Sequence, residues 1–236
     1  MKDIKARLIE RIKRVSTIES FRFKPKEKVD FLPGQFLHVI FDEGNQNNSE
    51  LNKYLSFSSS PTKDYIEVTK RLSESAFSQK LRSLKVSDEI LLKGPLGNCV
   101  LKEEYKKIGF LIGGIGITPV ISMIEYIAHK RLDTDVILFY SNRKEDDIAF
   151  KEELKYWQST NKNIRIFFTV TDAEPKDTNC IYGRISRELL IEKAQDIQER
   201  IFFIFGPPKM VEAMKNICLG LNCKQENVKM EKFIGY

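Results

Sequence analysis

The stretch Ile108–Ile127, IGFLIGGIGITPVISMIEYI, decides the fold that this sequence predicts. It begins with an apolar run long enough for one buried strand, continues through the glycine-rich Gly113–Gly116 and ends in an apolar pattern with helical spacing. Thr118 suits an N-cap, and Pro119 suits the first helical turn, where a missing N–H costs nothing. Such a turn directs backbone N–H groups and the helix dipole toward an anion. The stretch predicts a phosphate-binding turn; the alternative is a tight turn that needs glycine only for its backbone angles.

The length and composition are those of a globular protein. At 236 residues the chain can form one large domain or two small ones, and its 42% hydrophobic residues suffice for a core. No apolar run approaches the roughly 20 residues of a membrane span, and the charged N-terminus lacks the apolar block of a secretory signal. We therefore expect a soluble cytoplasmic protein. The net charge of +6 comes from basic residues interleaved with acids, which suits an acidic partner protein better than nucleic acid.

Metal and disulfide chemistry find little support in the sequence. Four cysteines are too few for a disulfide scaffold, and only Cys218 and Cys223 are closely spaced. No second pair completes a zinc or iron–sulfur set, and His38 and His129 are isolated. We expect free thiols in a reducing compartment and no metal site.

The pattern of strands and helices changes near residue 103. Before it, short runs rich in β-branched and aromatic residues, such as Phe36–Phe41 and Glu89–Leu92, are separated by turn clusters and predict a closed barrel or sandwich. After it, apolar strand runs alternate with helical patterns, which predicts a parallel sheet with helices on both faces. We predict a β domain over residues 1–102 and an α/β domain over residues 103–236.

The predicted parallel strands are followed by residues suited to binding. Ligands of open parallel sheets lie at the carboxyl ends of the strands. The four main strand runs lead into Gly113–Gly116, Tyr140–Arg143, Thr169–Asp172 and Gly206–Pro208. This edge of the sheet is therefore predicted to bind a nucleotide.

Several segments, which follow one another along nearly the whole chain, carry a family resemblance. They are Pro33–Phe36, Lys53–Pro61, Val68–Arg71, Ser75–Ser78, Gly94–Gly97, Gly113–Pro119, Phe205–Met210 and Glu231–Phe233. Together they resemble the ferredoxin–NADP reductase superfamily of flavoprotein pyridine-nucleotide oxidoreductases. The resemblance implies an antiparallel barrel that binds FAD, followed by a parallel-sheet α/β domain that binds the nicotinamide nucleotide.

On the flavin side, the resemblance implies that Lys53 pairs with the flavin phosphate and that the hydroxyl of Ser56 reaches the reducible ring nitrogen. Lys53 stands where the family has arginine, Leu55 where it has tyrosine and Ser75 where it has glycine, so weaker flavin retention is expected. The alternative for Ser56–Ser60 is a polar loop segment. The implied flavin-binding residues are Lys53, Tyr54, Leu55, Ser56, Thr69, Lys70, Arg71, Ser75, Ala76, Phe77 and Ser78.

On the nucleotide side, the resemblance implies that the glycine turn cradles the diphosphate and that the turn after Phe205 lies beside the nicotinamide. Phe205 stands where the family has cysteine, and some slowing of hydride transfer is expected. Glu231, which matches an acidic position facing the flavin, is implied to be catalytic together with Ser56; the alternative is a simple closing strand. Tyr236 is an alternative to Phe233 as the ring that covers the flavin. The implied nucleotide-side residues are Gly113, Gly114, Gly116, Thr118, Arg143, Asp172, Gly206, Pro207, Met210, Phe233 and Tyr236.

The choice between NADH and NADPH can be argued from charge. In NADP-specific relatives a basic residue after the third strand of the α/β domain meets the 2′-phosphate, and the matching position here is Asp172. A carboxylate there repels a phosphate and accepts hydrogen bonds from ribose hydroxyls. The positive charge of Arg143, by contrast, attracts a 2′-phosphate and favours NADPH. We expect NADH, with NADPH as the alternative.

The resemblance implies an enzyme, an FAD-dependent NAD(P)H oxidoreductase. In the preferred interpretation it passes electrons from FAD to a separate acceptor such as a ferredoxin, a cytochrome or an oxygenase component, and the positive net charge suits an acidic one. A second interpretation is a reductase that releases free reduced flavin. A third is a non-catalytic, nucleotide-binding regulatory subunit.

Overall fold

The computed structural model describes residues 2–233. Within them the chain forms two units. The first unit contains residues 2–101 together with Thr118–Tyr126, and the second contains Lys102–Ile117 together with residues 127–233. Tyr236, one of the residues that the resemblance implies, lies outside the described part of the chain.

The first unit is built on a six-stranded antiparallel sheet with the order β4-β3-β6-β1-β2-β5. An isolated antiparallel bridge between Phe57, just after β4, and Val68 in β5 links the two ends of this order, so the sheet curls into a barrel. The strands are β1 (Lys2–Val15), β2 (Ile18–Pro25), β3 (Phe36–Ile40), β4 (Asn52–Ser56), β5 (Ile66–Arg71) and β6 (Glu89–Leu96), and one helix, α1 (Ala76–Ser83), lies between β5 and β6.

Alternation along the strands fills the inside of this barrel. Leu8, Phe23 and Leu37 are fully buried and belong to one apolar cluster, while their sequence neighbours are more exposed. Phe77 and Leu81, four residues apart on α1, are both fully buried in the same cluster. The helix therefore packs its apolar stripe against the barrel interior.

The second unit is built on a six-stranded parallel sheet with the order β10-β9-β8-β7-β11-β12. Its strands are β7 (Lys107–Gly113), β8 (Asp135–Asn142), β9 (Ile164–Val170), β10 (Cys180–Tyr182), β11 (Ile201–Gly206) and β12 (Val228–Lys232). The helices that follow α1 are α2 (Ile117–Lys130), α3 (Lys151–Thr160), α4 (Arg187–Lys193) and α5 (Pro208–Gly220). None of the helices within residues 2–233 is long and apolar enough to cross a membrane.

The central strands of this sheet are buried on both faces, which explains their nearly continuous apolar sequences. Leu111, Ile137 and Ile204 point to one face and pack with α4 and α5, whereas Phe110 and Leu138, on the opposite face, are also fully buried. Arg200, which precedes β11, is the largest fully buried side chain and forms ion pairs with Asp196 and Asp135.

The predicted fold class, an antiparallel barrel followed by a parallel α/β sheet, is confirmed. The prediction that Thr118 is an N-cap is wrong, because α2 begins at Ile117 and its cap is Gly116. The 3-10 turn Gly114–Gly116 already winds the chain before Thr118, so the helix starts earlier than the polar side chain suggests. Pro119 does lie in the first helical turn.

Candidate functional site

The glycine turn after β7 contains glycines with two different roles. Gly114 has a φ of +53°, and a side chain there would meet nothing within 4 Å, so this position faces open space. A Cβ on Gly116 would lie 2.5 Å from the carbonyl oxygen of Phe205, so glycine is required there for packing. Of these two glycines, Gly114 is the one that leaves room for a ligand to approach the backbone.

A second turn, between β11 and α5, meets the first. The sulfur of Met210 lies 2.6 Å from the position that a Cβ on Gly113 would take and 3.0 Å from that on Gly206. Pro207, the residue before α5, also lies against Gly113, 3.1 Å from the same position. The N–H of Phe233 donates to the carbonyl of Gly206 over 3.0 Å. These five predicted nucleotide-side residues therefore lie together at the carboxyl edge of the sheet.

Glu231 lies beside this cluster on β12. It pairs in register with Phe205, whose ring stacks on that of Phe233 at 6.3 Å between centroids and 8° between planes. Burial raises the pKa of Glu231 to about 7. A carboxyl group with this pKa can hold or release a proton at neutral pH.

Asp172 and Arg143, which were predicted to act in opposite directions on a 2′-phosphate, are neighbours. The N–H of Asp172 donates to the carbonyl of Arg143 over 2.9 Å, and both side chains are exposed at the ends of β8 and β9. The hydroxyl of Thr171 donates to the Asp172 carboxylate over 2.8 Å. Thr171 was not identified from the sequence, because a single threonine in a turn carries no distinctive signal.

The residues predicted on β4 do not share one face. Leu55 is buried in the barrel core, and strand alternation places Lys53 on the same side. Tyr54 and Ser56 alternate with them; Tyr54 is 62% exposed and its ring stacks on that of His38 at 4.3 Å. A ligand that contacts one face of β4 can therefore meet the side chains of only two of these four residues.

Three basic residues, Lys53 on β4 and Lys70 and Arg71 at the end of β5, are near enough that the charges of the other two act on Lys70. Lys70 is only 8% exposed, and its ammonium donates to the carbonyl of Arg71 over 3.0 Å. Burial lowers the pKa of Lys70, and the positive charges of Lys53 and Arg71 lower it further. Because these cations repel one another, an anion bound among them is stabilised. The cluster fits the phosphate groups of FAD.

The start of α1 has a cap that the resemblance does not lead one to expect. The hydroxyl of Ser75 accepts the N–H of Ser78 over 3.3 Å, and the hydroxyl of Ser78 accepts the N–H of Ser73 over 3.1 Å. Phe77 is in the barrel core, and Ala76 is exposed. The cap at Ser75 occupies a backbone donor that a glycine would leave for a phosphate.

Thr69 lies inside the first unit and is held by other hydroxyl groups. Its Oγ1 is hydrogen-bonded to Ser20 over 2.6 Å and to Ser58 over 2.7 Å, and the three side chains are buried. A hydroxyl engaged in this way is poorly placed for a cofactor. The structure thus separates Thr69 from its neighbours Lys70 and Arg71, although the same sequence segment contains all three.

The closely spaced cysteines meet at the end of α5. Asn222 has a φ of +62°, and the N–H of Cys223 donates to the carbonyl of Cys218 over 3.0 Å. This is a Schellman ending, which brings the two side chains into contact. The hydrogen bond to Cys223, together with burial, raises the pKa of the Cys218 thiol. Both thiols are buried and free, and no group of three or more ligand side chains in residues 2–233 could hold a metal ion.

Comparison with known families matches both halves of the chain. Residues 5–101 match the oxidoreductase FAD-binding domain, and residues 110–216 match the oxidoreductase NAD-binding domain. The chain belongs to the ferredoxin–NADP reductase superfamily. The predicted oxidoreductase class and the predicted cofactors, FAD and a nicotinamide nucleotide, are confirmed by these matches.

Individual relatives agree with this family. The chain is 23% identical over 237 residues to a flavohemoprotein of Oceanobacillus iheyensis, a match covering 96% of this chain and 58% of that protein. It is 31% identical over 166 residues to an NADH-cytochrome b5 reductase-like protein of Arabidopsis thaliana, a match covering 69% of this chain and 50% of that protein. The chain thus corresponds to little more than half the length of these relatives. The FAD/NAD-binding domain of a nitric oxide dioxygenase from Vibrio cholerae has the same fold, with a TM-score of 0.84, 17% identity and 98% of each chain covered.

Proposed function

We propose that the protein is a flavoprotein reductase that oxidises NADH and passes the electrons, through FAD, to a separate acceptor. The meeting of the Gly113–Gly116 turn with the Gly206 turn, beside Glu231, carries this proposal. It combines an open backbone position with a titratable carboxyl group at the ligand-binding edge of a parallel sheet. When bound, FAD supplies the chemistry, since it accepts hydride and releases electrons singly.

The residues of the chain bind and orient the two cofactors. In the proposed first domain, residues 1–102, the cations Lys53, Lys70 and Arg71 hold the flavin phosphates, while Ser56, on the other face of β4, donates to the flavin ring, a separate part of the extended cofactor. In the proposed second domain, residues 103–236, the turn around Gly114 holds the nucleotide diphosphate. The arrangement of Gly113, Gly206 and Met210 supports this placement, because their close packing fixes the turn.

NADH is the proposed hydride donor rather than NADPH. The carboxylate of Asp172 is fixed by the hydroxyl of Thr171 and is exposed at the end of β9, where it repels a 2′-phosphate. Arg143, which is exposed at the end of β8, carries the opposing charge. NADPH is therefore the alternative substrate, used less well.

The proposed acceptor is a separate protein, which would be a ferredoxin, a cytochrome or an oxygenase component. The relatives named above are a flavohemoprotein and a cytochrome b5 reductase-like protein. The net charge of +6 favours an acidic partner, because opposite charge accelerates encounter. The proposed location is the cytoplasm, which the four free thiols support.

Anaerobic spectroscopy tests the proposal. The purified protein, supplied with FAD, should show flavin absorbance that remains after gel filtration and that NADH bleaches within one turnover. Flavin that never binds would contradict the proposal. The flavin absorbance should return when an acidic electron acceptor such as ferredoxin or cytochrome b5 is added, because the acceptor reoxidises the flavin.

A second function, release of free reduced flavin, is favoured by one observation. The hydroxyl of Ser75 takes a helix-start donor that a flavin phosphate would otherwise use, and this weakens retention. In that case NADH still bleaches the flavin, but gel filtration removes it from the protein. A non-catalytic regulatory subunit, the third alternative, would bind NADH and leave the flavin oxidised.

A further inference from the structure

The first unit contains a buried charged cluster centred on Glu67, which the proposed function does not use. Glu67 lies on β5 between apolar residues and is only 2% exposed. Its carboxylate accepts hydrogen bonds from Arg14 over 3.1 Å and from Arg22 over 2.8 Å. The Arg14 side chain is also nearly buried, with 8% exposure. Two guanidinium groups therefore hold one carboxylate in a fixed place inside the protein.

The same residue holds the serine segment that follows β4, Phe57–Ser60. The Ser58 hydroxyl donates to the Glu67 carboxylate over 3.1 Å, and the Ser58 N–H donates to the Glu67 carbonyl over 2.8 Å. The Glu67 N–H donates to the Ser59 hydroxyl over 2.9 Å. Glu67 thus binds two consecutive serines through its carboxylate, its carbonyl and its N–H.

A contribution to the stability of the fold does not by itself explain why these charged groups are buried together. Taking a carboxylate and a guanidinium out of water costs several kcal/mol per ion, and apolar residues of similar volume often serve stability equally well. The hydrogen bonds do, however, impose distances and directions that apolar packing does not. Only Phe57 separates the serines that they fix from Ser56, the residue proposed to donate to the flavin ring.

We propose that Glu67 is a positioning residue for the flavin. Held by Arg14 and Arg22, it fixes Ser58 and Ser59, and through them the end of β4, so that Ser56 is presented to the flavin in one orientation. This inference rests on the proposed flavin site. Glu67 does not itself touch the cofactor; it acts through the serine segment.

A pair of single-atom changes provides the sharpest test. Ser58→Ala removes the hydroxyl that joins the serine segment to Glu67 and Thr69, whereas Thr134→Val removes a buried hydroxyl of the second unit, which donates to the carbonyl of Tyr105 over 3.0 Å. Ser58→Ala should weaken FAD binding about tenfold, the value of one buried hydrogen bond, and shift the reduction potential of the bound flavin. Thr134→Val should lower the melting temperature comparably and leave both flavin properties unchanged. Equal effects of the two variants on the flavin, or no effect of Ser58→Ala, would overturn the proposal.

Removal of the charge is the second test. Glu67→Gln keeps the shape but leaves Arg14 and Arg22 without their carboxylate. At saturating FAD the potential of the bound flavin should change, while ADP-ribose binding measured by calorimetry on the full chain should not. Glu19→Gln is the matched control, because Glu19 pairs with Arg11 over 2.7 Å in the same sheet. An unchanged potential in Glu67→Gln would contradict the proposal, whereas a wild-type chain that binds no flavin would refute the proposed function instead.

Discussion

At the scale of single residues, the proposed preference for NADH over NADPH depends on the pair Asp172 and Arg143. Asp172→Arg replaces a repelling carboxylate with a guanidinium that can bind a 2′-phosphate bidentately. We expect the ratio of kcat/KM for NADPH to that for NADH to rise by about tenfold or more, which corresponds to about 1.4 kcal/mol. Steady-state kinetics with both nucleotides measures this ratio.

A neighbouring acid provides the control for that substitution. Glu174 is exposed two residues further along the same loop. Glu174→Arg brings the same change of net charge and should leave the ratio nearly unchanged. If both variants shift it equally, a general positive field rather than Asp172 selects the nucleotide.

Glu231 is expected to make stability depend on pH. Folding raises the pKa of Glu231 from its ordinary 4.5 to about 7, so the folded state binds the proton more tightly. This contribution is fully present below about pH 4.5 and is lost as the pH rises through about 7. Glu231→Gln, which stays neutral, should therefore gain stability relative to the wild type over this range, by on the order of 2 kcal/mol.

Urea unfolding at several pH values between 4 and 8 measures that difference. The exposed Glu226→Gln controls for the loss of one negative charge in the same region of the chain. Stability profiles of the wild type and Glu231→Gln that run parallel across this range would contradict the raised pKa.

The sequence indicated which residues to select as site candidates better than it indicated what surrounds those residues in the folded protein. Asp172 could be picked out because the family pattern places a residue that meets the 2′-phosphate after a particular strand, and Glu231 because it matches an acidic position of the family. The pKa of Glu231, by contrast, depends on burial created by other strands, and Leu55 proved to face the barrel core. Glu67 escaped detection altogether, because its partner Arg14 is far from it in the sequence and only folding brings them together.

At the scale of one element, the cap of helix α1 is expected to affect both the stability of the helix and the retention of FAD. Ser75→Gly removes the hydroxyl from the N–H of Ser78 and restores the residue that the family has at this position. A glycine cap costs the helix only a few tenths of a kcal/mol relative to serine. We expect FAD to be retained more strongly, with a several-fold lower dissociation constant in equilibrium dialysis.

The start of α4 offers a matched control. Ser186 accepts the N–H of Leu189 over 3.3 Å, as Ser75 accepts that of Ser78 over 3.3 Å. Ser186→Gly should bring a similar small loss of stability and leave FAD affinity unchanged. A decrease of FAD affinity in Ser75→Gly would show that the serine itself assists the cofactor.

Elements with a strong local signal were predicted well. The strand run before Gly113 and the helical spacing that follows the glycine turn depend on neighbouring residues alone, and the structure contains both elements. The short strand β10 (Cys180–Tyr182) was not predicted, since three residues carry no periodicity and only pairing with β9 defines it. The start of α2 was misplaced because the 3-10 turn before it has no polar cap.

At the scale of the whole molecule, Arg200 stabilises the parallel sheet at the amino ends of its strands. The edge proposed to bind the nucleotide is formed by the opposite, carboxyl ends. Arg200 is fully buried, pairs with Asp196 over 2.7 Å and donates to the carbonyl of Ile108 over 3.0 Å. Arg200→Met leaves buried acceptors without donors and should lower the free energy of unfolding of the second unit by about 3 kcal/mol. The fluorescence of the single tryptophan, Trp157, reports on this unit.

A second arginine at the amino ends of the strands, Arg165, provides a control that distinguishes the effect of burial from the effect of charge. Arg165 pairs with Asp135 over 3.2 Å, but 42% of its side chain is exposed. Arg165→Met should cost less than about 1 kcal/mol, because water screens an exposed ion pair. Equal losses in the two variants would show that burial of Arg200 contributes nothing of its own.

The order of the strands in the parallel sheet has a consequence for how the chain is made. On the ribosome β7 emerges before β8, and Phe110 can pair with Leu138 as soon as α2 has formed. The other side of β7 must wait for β11, where Phe110 meets Phe203. Until then the growing chain presents an open, apolar strand edge, which invites chaperone binding or pairing with another nascent chain. The central position of β7 thus makes the interval between the synthesis of β7 and that of β11 the period in which this strand edge is most vulnerable to aggregation.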